Sequence, residues 1–427
     1  MVPPSNRHRE GATAASSTRT GGPDRRADGH APGCLTEAPA LQELVHDVAR
    51  LPMPMTAPLR VAVDATSLLD AHLTGVGVFT RELVGQLARR DDIDLTAFSV
   101  SWSGRGRLPE LVPRGVTVAR RPMAARPLRE LWQRFGGPPI EWWTGPADVV
   151  HGPNFVVPPA RRAAEVVTIH DLTFVRFPEL SSAATLAYPA LVRKAIERGA
   201  WVHTDSPYVA DEVRETFAVD PERVVPVALG APAPGPPGTV AAGRALVGAE
   251  RYVASIGTIE PRKDLPLLVR AFDAVAADDP DIHLAIAGPD GWGAEALSVA
   301  IAAATHRRRI VRLGWISDEA RADLLAGATL LAYPSVYEGF GFPPLEAMAA
   351  GVPVVATDAG ALPTTLGDAA RLVPVGDADA LAQAIATVAA DDEVRAGLVA
   401  RGHERVAELP WSATADGLAA LYRRAAG

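Results

Sequence analysis

The segment from residue 328 to residue 357 constrains the fold more than any other part of the chain. It opens with the apolar run 328–333, which has the length and composition of a buried strand. Pro343 and Pro344 then suit the first turn of a helix, where a missing N–H group costs nothing. A second apolar run, residues 353–357, follows the helix. A strand, a helix and another strand in such close succession predict an α/β fold with a parallel sheet.

The loop of this segment carries two glutamates whose placement indicates a ligand site. Glu338 follows the first strand, and Glu346 lies in the first turn of the helix. Ligands of open α/β sheets bind outside the carboxyl ends of the strands. Gly339 and Gly341 let the backbone approach a ligand, and the helix start offers N–H groups to an anion. Two carboxylates beside an anion site are expected to accept hydrogen bonds from hydroxyl groups, and hydroxyls together with phosphate indicate a sugar nucleotide. The alternative is that Glu346 only interacts favourably with the helix dipole and that Glu338 is a solvated loop residue.

The residues from Glu338 to Glu346 read Glu-Gly-Phe-Gly-Phe-Pro-Pro-Leu-Glu and continue as Ala-Met-Ala-Ala-Gly-Val-Pro-Val-Val. This pattern closely resembles the signature of family 4 of the glycosyltransferases. The resemblance implies a retaining enzyme with the GT-B fold, in which two doubly wound Rossmann-like domains face a cleft and the last helix crosses back onto the first domain. It assigns Glu338 to the hydroxyls of the transferred sugar and Glu346 to the donor ribose. Gly339, Phe340 and Gly341 then belong to the donor-binding loop.

Length, charge and cysteine content limit the classes of function. A chain of 427 residues is longer than one core usually organises, so two domains are expected. No apolar run reaches the roughly 18 residues of a membrane span. The net charge of −8 argues against binding to nucleic acid. Because Cys34 is the sole cysteine, the sequence excludes disulfides within the chain, zinc–cysteine clusters and thiol catalysis in the core.

Composition along the chain predicts a tail, two domains and a linker. Residues 1–57 are rich in Pro, Gly, Ser and Arg and lack the apolar stretch of a signal peptide, so we expect a disordered extension. Residues 58–228 are expected to form the acceptor-side Rossmann-like domain. The Pro- and Gly-rich residues 229–240 predict a linker, and residues 241–427 predict the Rossmann-like domain that binds the donor.

Two glycines follow the first predicted strand, residues 60–65. Gly75 and Gly77 open a helix, where backbone amides can bind phosphate. A dinucleotide fingerprint would have a third glycine where Thr80 stands, so an oxidoreductase is disfavoured. The family resemblance assigns both glycines to the donor diphosphate; the alternative is that they serve only the turn.

A predicted buried strand ends at His170 and Asp171. Polar residues at this end of a parallel strand are usually site residues, although a lone histidine is often only a core residue whose hydrogen bonds are satisfied. The resemblance assigns His170 to the transferred sugar, and Asp171 is expected to orient its imidazole. A helix is predicted over residues 182–199. Ser206 then precedes a proline at the start of another helix: the resemblance places this serine near the donor, although capping alone would explain it.

A basic pair, Arg262 and Lys263, follows the first predicted strand of the second domain. At the end of a strand and before a helix, this pair is well placed to neutralise a diphosphate. Lys263 matches the phosphate-binding lysine of the family. The family often has an arginine directly after the glycine that ends this strand, and this chain has Thr258 there, in the donor site. We interpret Arg262 as the residue that supplies the missing positive charge. The alternative is a solvated turn.

Three tryptophans, Trp132, Trp142 and Trp143, cluster with arginines around a helix predicted over residues 127–135. Such a combination can lie on a membrane surface. Aromatic packing beside an acceptor loop is the favoured interpretation.

These features predict a retaining glycosyltransferase that moves a hexose from a nucleoside diphosphate to a hydroxyl of a glycan or lipid-linked acceptor, in the synthesis of polysaccharide, glycolipid or cell-envelope glycan. The variants Gly-Thr-x-Glu-Pro-Arg-Lys-Asp and His-Asp-Leu-Thr-Phe resemble bacterial mannosyltransferases, so GDP-mannose is the favoured donor. We expect a cytoplasmic protein, either free or at the inner face of the membrane. A non-catalytic sugar-nucleotide-binding module is one alternative. A glycoside hydrolase is another, disfavoured because both glutamates lie beside a basic diphosphate site.

Neither a metal nor a cofactor is expected. Asp-x-Asp triplets begin at Asp92, Asp279 and Asp377, but the first two precede strands and the third opens a late helix. None is therefore predicted at the cleft, and the cationic residues would stabilise the departing diphosphate instead.

Overall fold

The computed structural model describes residues 57–181, 185–232 and 237–427. They form two parallel β-sheets flanked by helices, which confirms the α/β prediction. Residues Ala57–Gly427 make up one unit. The predicted disordered extension, residues 1–57, lies outside the described residues except for Ala57.

Within the described residues, the first sheet contains seven strands. In chain order they are β1 Leu59–Asp64, β2 Ile93–Phe98, β3 Thr117–Val118, β4 Val149–Gly152, β5 Ala164–Ile169, β6 Trp201–Thr204 and β7 Val224–Pro226. Their order in the sheet is β3-β2-β1-β4-β5-β6-β7, with every neighbouring pair parallel. The central strands are apolar runs because helices cover the sheet, and residues 61–63 and 166–169 are fully buried.

The helices of the first domain connect these strands. They are α1 Gly75–Leu87, α2 Leu108–Leu111, α3 Ala125–Phe135, α4 Glu141–Thr144, α5 Thr173–Arg176, α6 Tyr188–Glu197 and α7 Pro207–Phe217. The helix predicted over residues 182–199 is shorter than expected, because Pro189 fixes its first turn and a 3₁₀ turn, Thr185–Ala187, precedes it. Residues 182–184 of that prediction lie outside the described residues.

The second sheet has six strands within the described ranges. They are β8 Arg251–Ile256, β9 Ile282–Ala287, β10 Ile310–Gly314, β11 Leu330–Tyr333, β12 Val354–Thr357 and β13 Ala370–Val373. Their order is β10-β9-β8-β11-β12-β13, again parallel throughout. The strand order reverses direction between β8 and β11, which is the point where ligands of doubly wound sheets bind.

Helices also surround the second sheet. They are α8 Val240–Val247, α9 Leu265–Asp278, α10 Ala294–Ala303, α11 Asp318–Gly327, α12 Phe342–Ala349, α13 Leu362–Leu366, α14 Ala378–Ala390, α15 Asp392–Ala407 and α16 Trp411–Ala426.

The last helix, α16, packs against α1, β4 and β5, so the prediction that it crosses back onto the first domain is confirmed. Leu418 and Tyr422 are fully buried in the same apolar cluster as Phe79 of α1. At the start of the helix, Trp411 lies so close to Gly230 that a Cβ atom at position 230 would come within 2.4 Å of the indole. Glycine is therefore required where the chain leaves the first domain.

The predicted linker, residues 229–240, is described in part, since residues 233–236 lie outside the described ranges. Leu229 and Ala231 are buried, and Ala231 N donates to Leu409 O at 2.7 Å. Helix α8 begins at Val240. The beginning of the linker is thus held by the end of the chain, while the domain boundaries themselves stay predictions.

A buried polar network attaches α16 to the first sheet. The Tyr422 hydroxyl lies 2.7 Å from His151 Nδ1, and His151 Nε2 lies 2.7 Å from Thr168 Oγ1. Burial lowers the pKa of His151 well below its usual value, helped by the nearby His203. A neutral imidazole offers one donor and one acceptor, and this network satisfies both.

We expect Tyr422→Phe to lower the free energy of unfolding by about 1–3 kcal/mol, because it leaves a buried imidazole nitrogen without its partner. Urea denaturation followed by circular dichroism measures the change. The matched control is Tyr188→Phe, at a half-buried ring stacked on Phe155. A change of the same size in both variants would contradict the role given to the Tyr422 hydroxyl.

Candidate functional site

The carboxyl ends of the strands of both sheets carry the candidate site residues. His170 follows β5 and Ser206 follows β6 in the first domain, while Lys263 and Glu338 follow β8 and β11 in the second. The two groups meet directly: Ser206 Oγ donates to Gly339 O at 3.0 Å. The candidate site therefore lies between the two domains.

Glu338 is the central charged residue of this site and is only 6% exposed. Its Oε1 lies 2.6 Å from Lys263 Nζ, and its Oε2 lies 2.8 Å from Arg262 Nη1. Burial alone would raise the pKa of Glu338, but the charges of Arg262 and Lys263 lower it to about 2. The carboxylate is therefore ionised throughout the physiological range, and the alternative of a solvated loop glutamate is wrong.

Lys263 is buried beside this carboxylate. Its ammonium lies 4.4 Å from the centre of the Tyr333 ring and donates to the Tyr333 hydroxyl as well as to Glu338. Burial lowers the pKa of Lys263, and the charge of Glu338 opposes that change. Among the described residues, two of the three N–H donors of the ammonium have protein partners, and the third is available to a ligand.

Arg262 is bound on three sides by the protein. Besides Glu338, its guanidinium donates to Glu260 at 2.9 Å and to the carbonyl oxygen of Tyr337 at 2.8 Å. The structure thus brings the predicted basic pair together with Glu338. Arg262 stabilises the loop between β11 and α12 through its contacts with Tyr337 and Glu338. Direct contact of Arg262 with a diphosphate stays a prediction.

His170 is held by a carboxylate that the sequence analysis did not consider. Its Nδ1 lies 2.7 Å from Asp205 Oδ2, and its Nε2 lies 2.8 Å from Pro153 O. The expectation that Asp171 orients the imidazole is wrong, since Asp171 accepts from Thr173 N at 2.9 Å. Asp205 directly follows β6, so the same rule that selected His170 would have found it.

The protonation of His170 follows from these two acceptors. A carbonyl oxygen can only accept, so both ring nitrogens are best satisfied as donors. Burial lowers the pKa of His170, but the charge and hydrogen bond of Asp205 outweigh it and raise the pKa above its usual value. Both hydrogen-bond partners of the ring therefore favour the imidazolium over the neutral imidazole.

The two glycines of the loop after Glu338 have different structural roles: one allows the close contact between the domains, and the other forms the N-cap of α12. A Cβ atom at Gly339 would come within 1.8 Å of His170 O, so only glycine permits this approach. Gly341 has φ +105° and forms the N-cap of α12. Phe340 is buried and packs edge to face on Phe342, with ring centroids 5.5 Å apart.

The starts of α1 and α12 lie close together. Gly75 is the first residue of α1, and a Cβ atom there would lie 3.4 Å from the ring of Phe342, the first residue of α12. Gly77 packs on Leu73, which is a structural reason for glycine at that position. The N-terminus of a helix favours an anion, and two of them lie close together here.

Glu346, Thr258 and Ser206 complete the set of predicted donor-binding residues. Glu346 lies in the first turns of α12, where Arg321 Nη1 donates to it at 3.2 Å; burial raises the pKa of Glu346, and Arg321 opposes that change. Arg321 was not identified from the sequence. Thr258 is exposed in the loop after β8. Ser206 accepts from Val209 N at 3.3 Å, so it caps α7 in addition to bonding to the second domain.

We expect Asp205→Asn to lower the pKa of His170, because it removes the carboxylate charge that favours the imidazolium. NMR titration of the histidine side chains measures this, and the remaining histidines are the internal control. A raised pKa in the folded state adds stability below the unfolded value of about 6.5, and this stability is lost as pH rises through the folded value. The variant should therefore lose more stability at pH 6 than at pH 9; an unchanged His170 titration would contradict the assignment.

Relatives of known sequence cover both domains. The O-antigen chain mannosyltransferase B of Escherichia coli is 28% identical over 365 residues, which are 81% of this chain and 95% of that protein. The phosphatidyl-myo-inositol mannosyltransferase of Mycolicibacterium smegmatis is 39% identical over 171 residues, so this chain spans 43% of its length.

Solved structures share the fold. Sucrose-phosphate synthase from Thermosynechococcus elongatus matches with a TM-score of 0.66 at 21% identity, over 86% of this chain and 99% of that one. WaaG, a glycosyltransferase involved in lipopolysaccharide biosynthesis, matches with a TM-score of 0.64 at 16% identity, over 86% and 98%. The GT-B architecture is thereby confirmed.

Two family models match the two domains in turn. The model described as glycosyl transferase 4-like domain matches residues 74–230, and the model described as glycosyl transferases group 1 matches residues 242–405. Both halves of a GT-B enzyme are thus present in the expected order. The chain belongs to family 4 of the glycosyltransferases.

Proposed function

We propose that this glycosyltransferase moves a hexose, with mannose favoured, from a nucleoside diphosphate to a hydroxyl of a glycan or lipid-linked acceptor, with retention of the anomeric configuration. The observation that carries the proposal is the buried, ionised Glu338 beside Lys263 at the strand ends that face the first domain. The mannosyltransferase relatives support the choice of sugar. Retention and GDP-mannose as donor rest on the family resemblance.

The donor diphosphate would lie between the starts of α1 and α12. The third N–H donor of Lys263 and the amide groups of the α12 start would bind this anion. Negative charge grows on the diphosphate as the bond between sugar and phosphate breaks, so these groups stabilise the transition state more than the ground state. In this arrangement Glu346, which Arg321 orients, would bind the ribose.

Glu338 would hold the transferred sugar. A carboxylate has about four acceptor positions, and Lys263 and Arg262 occupy two of them. The remaining positions can accept from sugar hydroxyls. His170 donates to Pro153 O, so a contact with the sugar requires that this hydrogen bond be shared.

We also propose that transfer needs no divalent metal. Asp92 pairs with Arg90 and lies at the amino end of β2, while Asp279 pairs with Arg251 before β9. Asp377 caps α14. None of these three aspartates is placed to hold a metal at the diphosphate. The positions therefore favour cationic side chains as the partners of the diphosphate.

Lys263→Ala should lower kcat by on the order of 10²-fold or more, with a smaller change in KM, because the ammonium meets charge that develops in the transition state. The assay is release of nucleoside diphosphate from a panel of sugar nucleotides with acceptor present, and EDTA should leave it unchanged. Lys194→Ala, at the other lysine of the chain, is the matched control.

A Lys263→Ala enzyme with normal kcat and raised KM would mean that the lysine contributes uniform binding. Release of free sugar without nucleotide would instead support a glycoside hydrolase, and nucleotide binding without turnover would support a binding module. Loss of activity in EDTA that magnesium or manganese restores would contradict the metal-independent mechanism.

A contact with the membrane surface is supported by exposed aromatic residues of the first domain. Trp132 is buried and donates to Pro138 O at 2.9 Å, as the packing interpretation predicts. Trp142 of α4 is 61% exposed, however, and Phe135 at the end of α3 is 76% exposed. Exposed arginines accompany them at positions 121, 126 and 134. Within the part of the chain that the structure describes, no helix combines the length and apolar character needed to cross a bilayer.

We expect the protein to sediment with vesicles that contain anionic lipid and to bind zwitterionic vesicles less, because arginines add electrostatic attraction to the apolar contact. Replacing both Trp142 and Phe135 by alanine should reduce the bound fraction. Trp315→Ala, at a half-exposed tryptophan of the second domain, is the control. Equal sedimentation of all three proteins would contradict the proposed surface.

A further inference from the structure

The side chain of Tyr337 joins the two domains directly next to Glu338. Tyr337 is 3% exposed and lies in the loop between β11 and α12 of the second domain. Its hydroxyl reaches into the first domain, where it accepts from Leu172 N at 3.0 Å and donates to Oε2 of Glu212 on α7. A tyrosine of the second domain thus bonds to one donor and one acceptor of the first domain.

The acceptor of this hydrogen bond is itself held in place. Glu212 is 4% exposed, and its other oxygen accepts from Arg176 Nε at 2.8 Å. The rings of Phe177 and Tyr208 lie 5.7 and 6.3 Å from the Tyr337 ring. A hydrogen bond to a buried carboxylate is stronger than one between neutral groups, and a buried carboxylate that loses its partner is destabilised. These contacts therefore favour the arrangement in which the domains touch.

The same loop is bound on its other side to the basic pair. Arg262 donates to the Tyr337 carbonyl oxygen at 2.8 Å and pairs with Glu338 at the same distance. Val336 N in turn donates to Arg262 O at 2.9 Å. The main chain at Tyr337 and the carboxylate of Glu338 consequently share one support. Displacing the Tyr337 ring from the first domain would shift the group that we assign to the sugar.

We propose that Tyr337 is a positioning residue for transfer: its hydroxyl bonds to Glu212 and Leu172 keep the domains closed and thereby place Glu338. Tyr337 acts through Glu338, without contact to the reacting atoms. The inference rests on the proposed transfer reaction, because it concerns the geometry in which Glu338 meets the donor sugar.

Tyr337→Phe removes only the hydroxyl and keeps the ring contacts. We expect kcat to fall on the order of 10- to 100-fold, the effect of losing one hydrogen bond to a charged group. The dissociation constant of GDP, measured by titration calorimetry, should change by less than about twofold, since GDP is proposed to bind groups of the second domain and the start of α1. A variant with normal kcat, or one with only weakened GDP binding, would overturn the proposal.

Tyr252→Phe is the matched control. Tyr252 is also fully buried, and its hydroxyl donates to Leu324 O at 2.6 Å within the second domain. Both variants lose a buried tyrosine hydroxyl, so both are expected to melt at lower temperature. Only Tyr337→Phe should lose turnover when both are assayed well below their melting temperatures; equal losses of kcat would show a structural effect and overturn the proposal.

A double-mutant cycle tests the partnership with Glu212. If the hydroxyl acts through this carboxylate, Tyr337→Phe combined with Glu212→Gln should lower kcat no further than the more damaging single change. Losses that multiply would show that the two residues act independently, against the proposal.

Hydrogen exchange gives a measurement that does not depend on activity. Leu172 N donates to the Tyr337 hydroxyl, so its amide should exchange faster in Tyr337→Phe than in the unaltered protein and in Tyr252→Phe. Unchanged exchange at Leu172 would overturn the proposal even if transfer is confirmed. Faster exchange in a protein that transfers no hexose would support the contact between the domains and count against the proposed function alone.

Discussion

The site depends on one buried cluster of charge, in which Glu338 binds Lys263 and Arg262 at the same time. Each of these ions would be costly to bury alone, and their pairing is what allows all three to lie at the strand ends away from water. The cluster fixes the loop between β11 and α12, the short turn after β8, and the side-chain directions within both. Removing one member leaves the others uncompensated, so the loop, the turn and the carboxylate form a single unit.

The first domain adds the hydrogen-bonded pair of His170 and Asp205, and glycine allows the loop of Glu338 to approach this pair. His170 is held by Asp205 and Pro153 O, and its backbone carbonyl touches Gly339. The loop after Glu338 therefore has no space for a side chain at this position. His170 of the first domain and Glu338 of the second therefore lie beside one contact that only glycine permits.

The sequence predicted the elements that depend on local pattern. The apolar run at residues 353–357 became β12, Val354–Thr357, and the two prolines lie in the first turn of α12 as expected. Interactions between distant positions were not accessible. Gly339 was attributed to the approach of a ligand, whereas a Cβ atom at this position would collide with the carbonyl oxygen of His170 in the other domain. Asp205 directly follows β6, so the strand-end rule applied to His170 would also have selected it. Arg321 was missed because an arginine on a helix has no distinguishing local pattern.

The return of α16 to the first domain makes the order of synthesis matter. Leu418 and Tyr422 fill space beside α1 and the first sheet, and Leu409 pairs with the chain where it leaves that sheet. During synthesis, the first domain therefore leaves the ribosome before α16, which provides part of its hydrophobic core, has been made. The apolar surface of the first domain that α16 covers therefore stays exposed until α16 has been synthesised. A truncation that removes α16 would destabilise the first domain, although the deleted residues lie at the end of the chain.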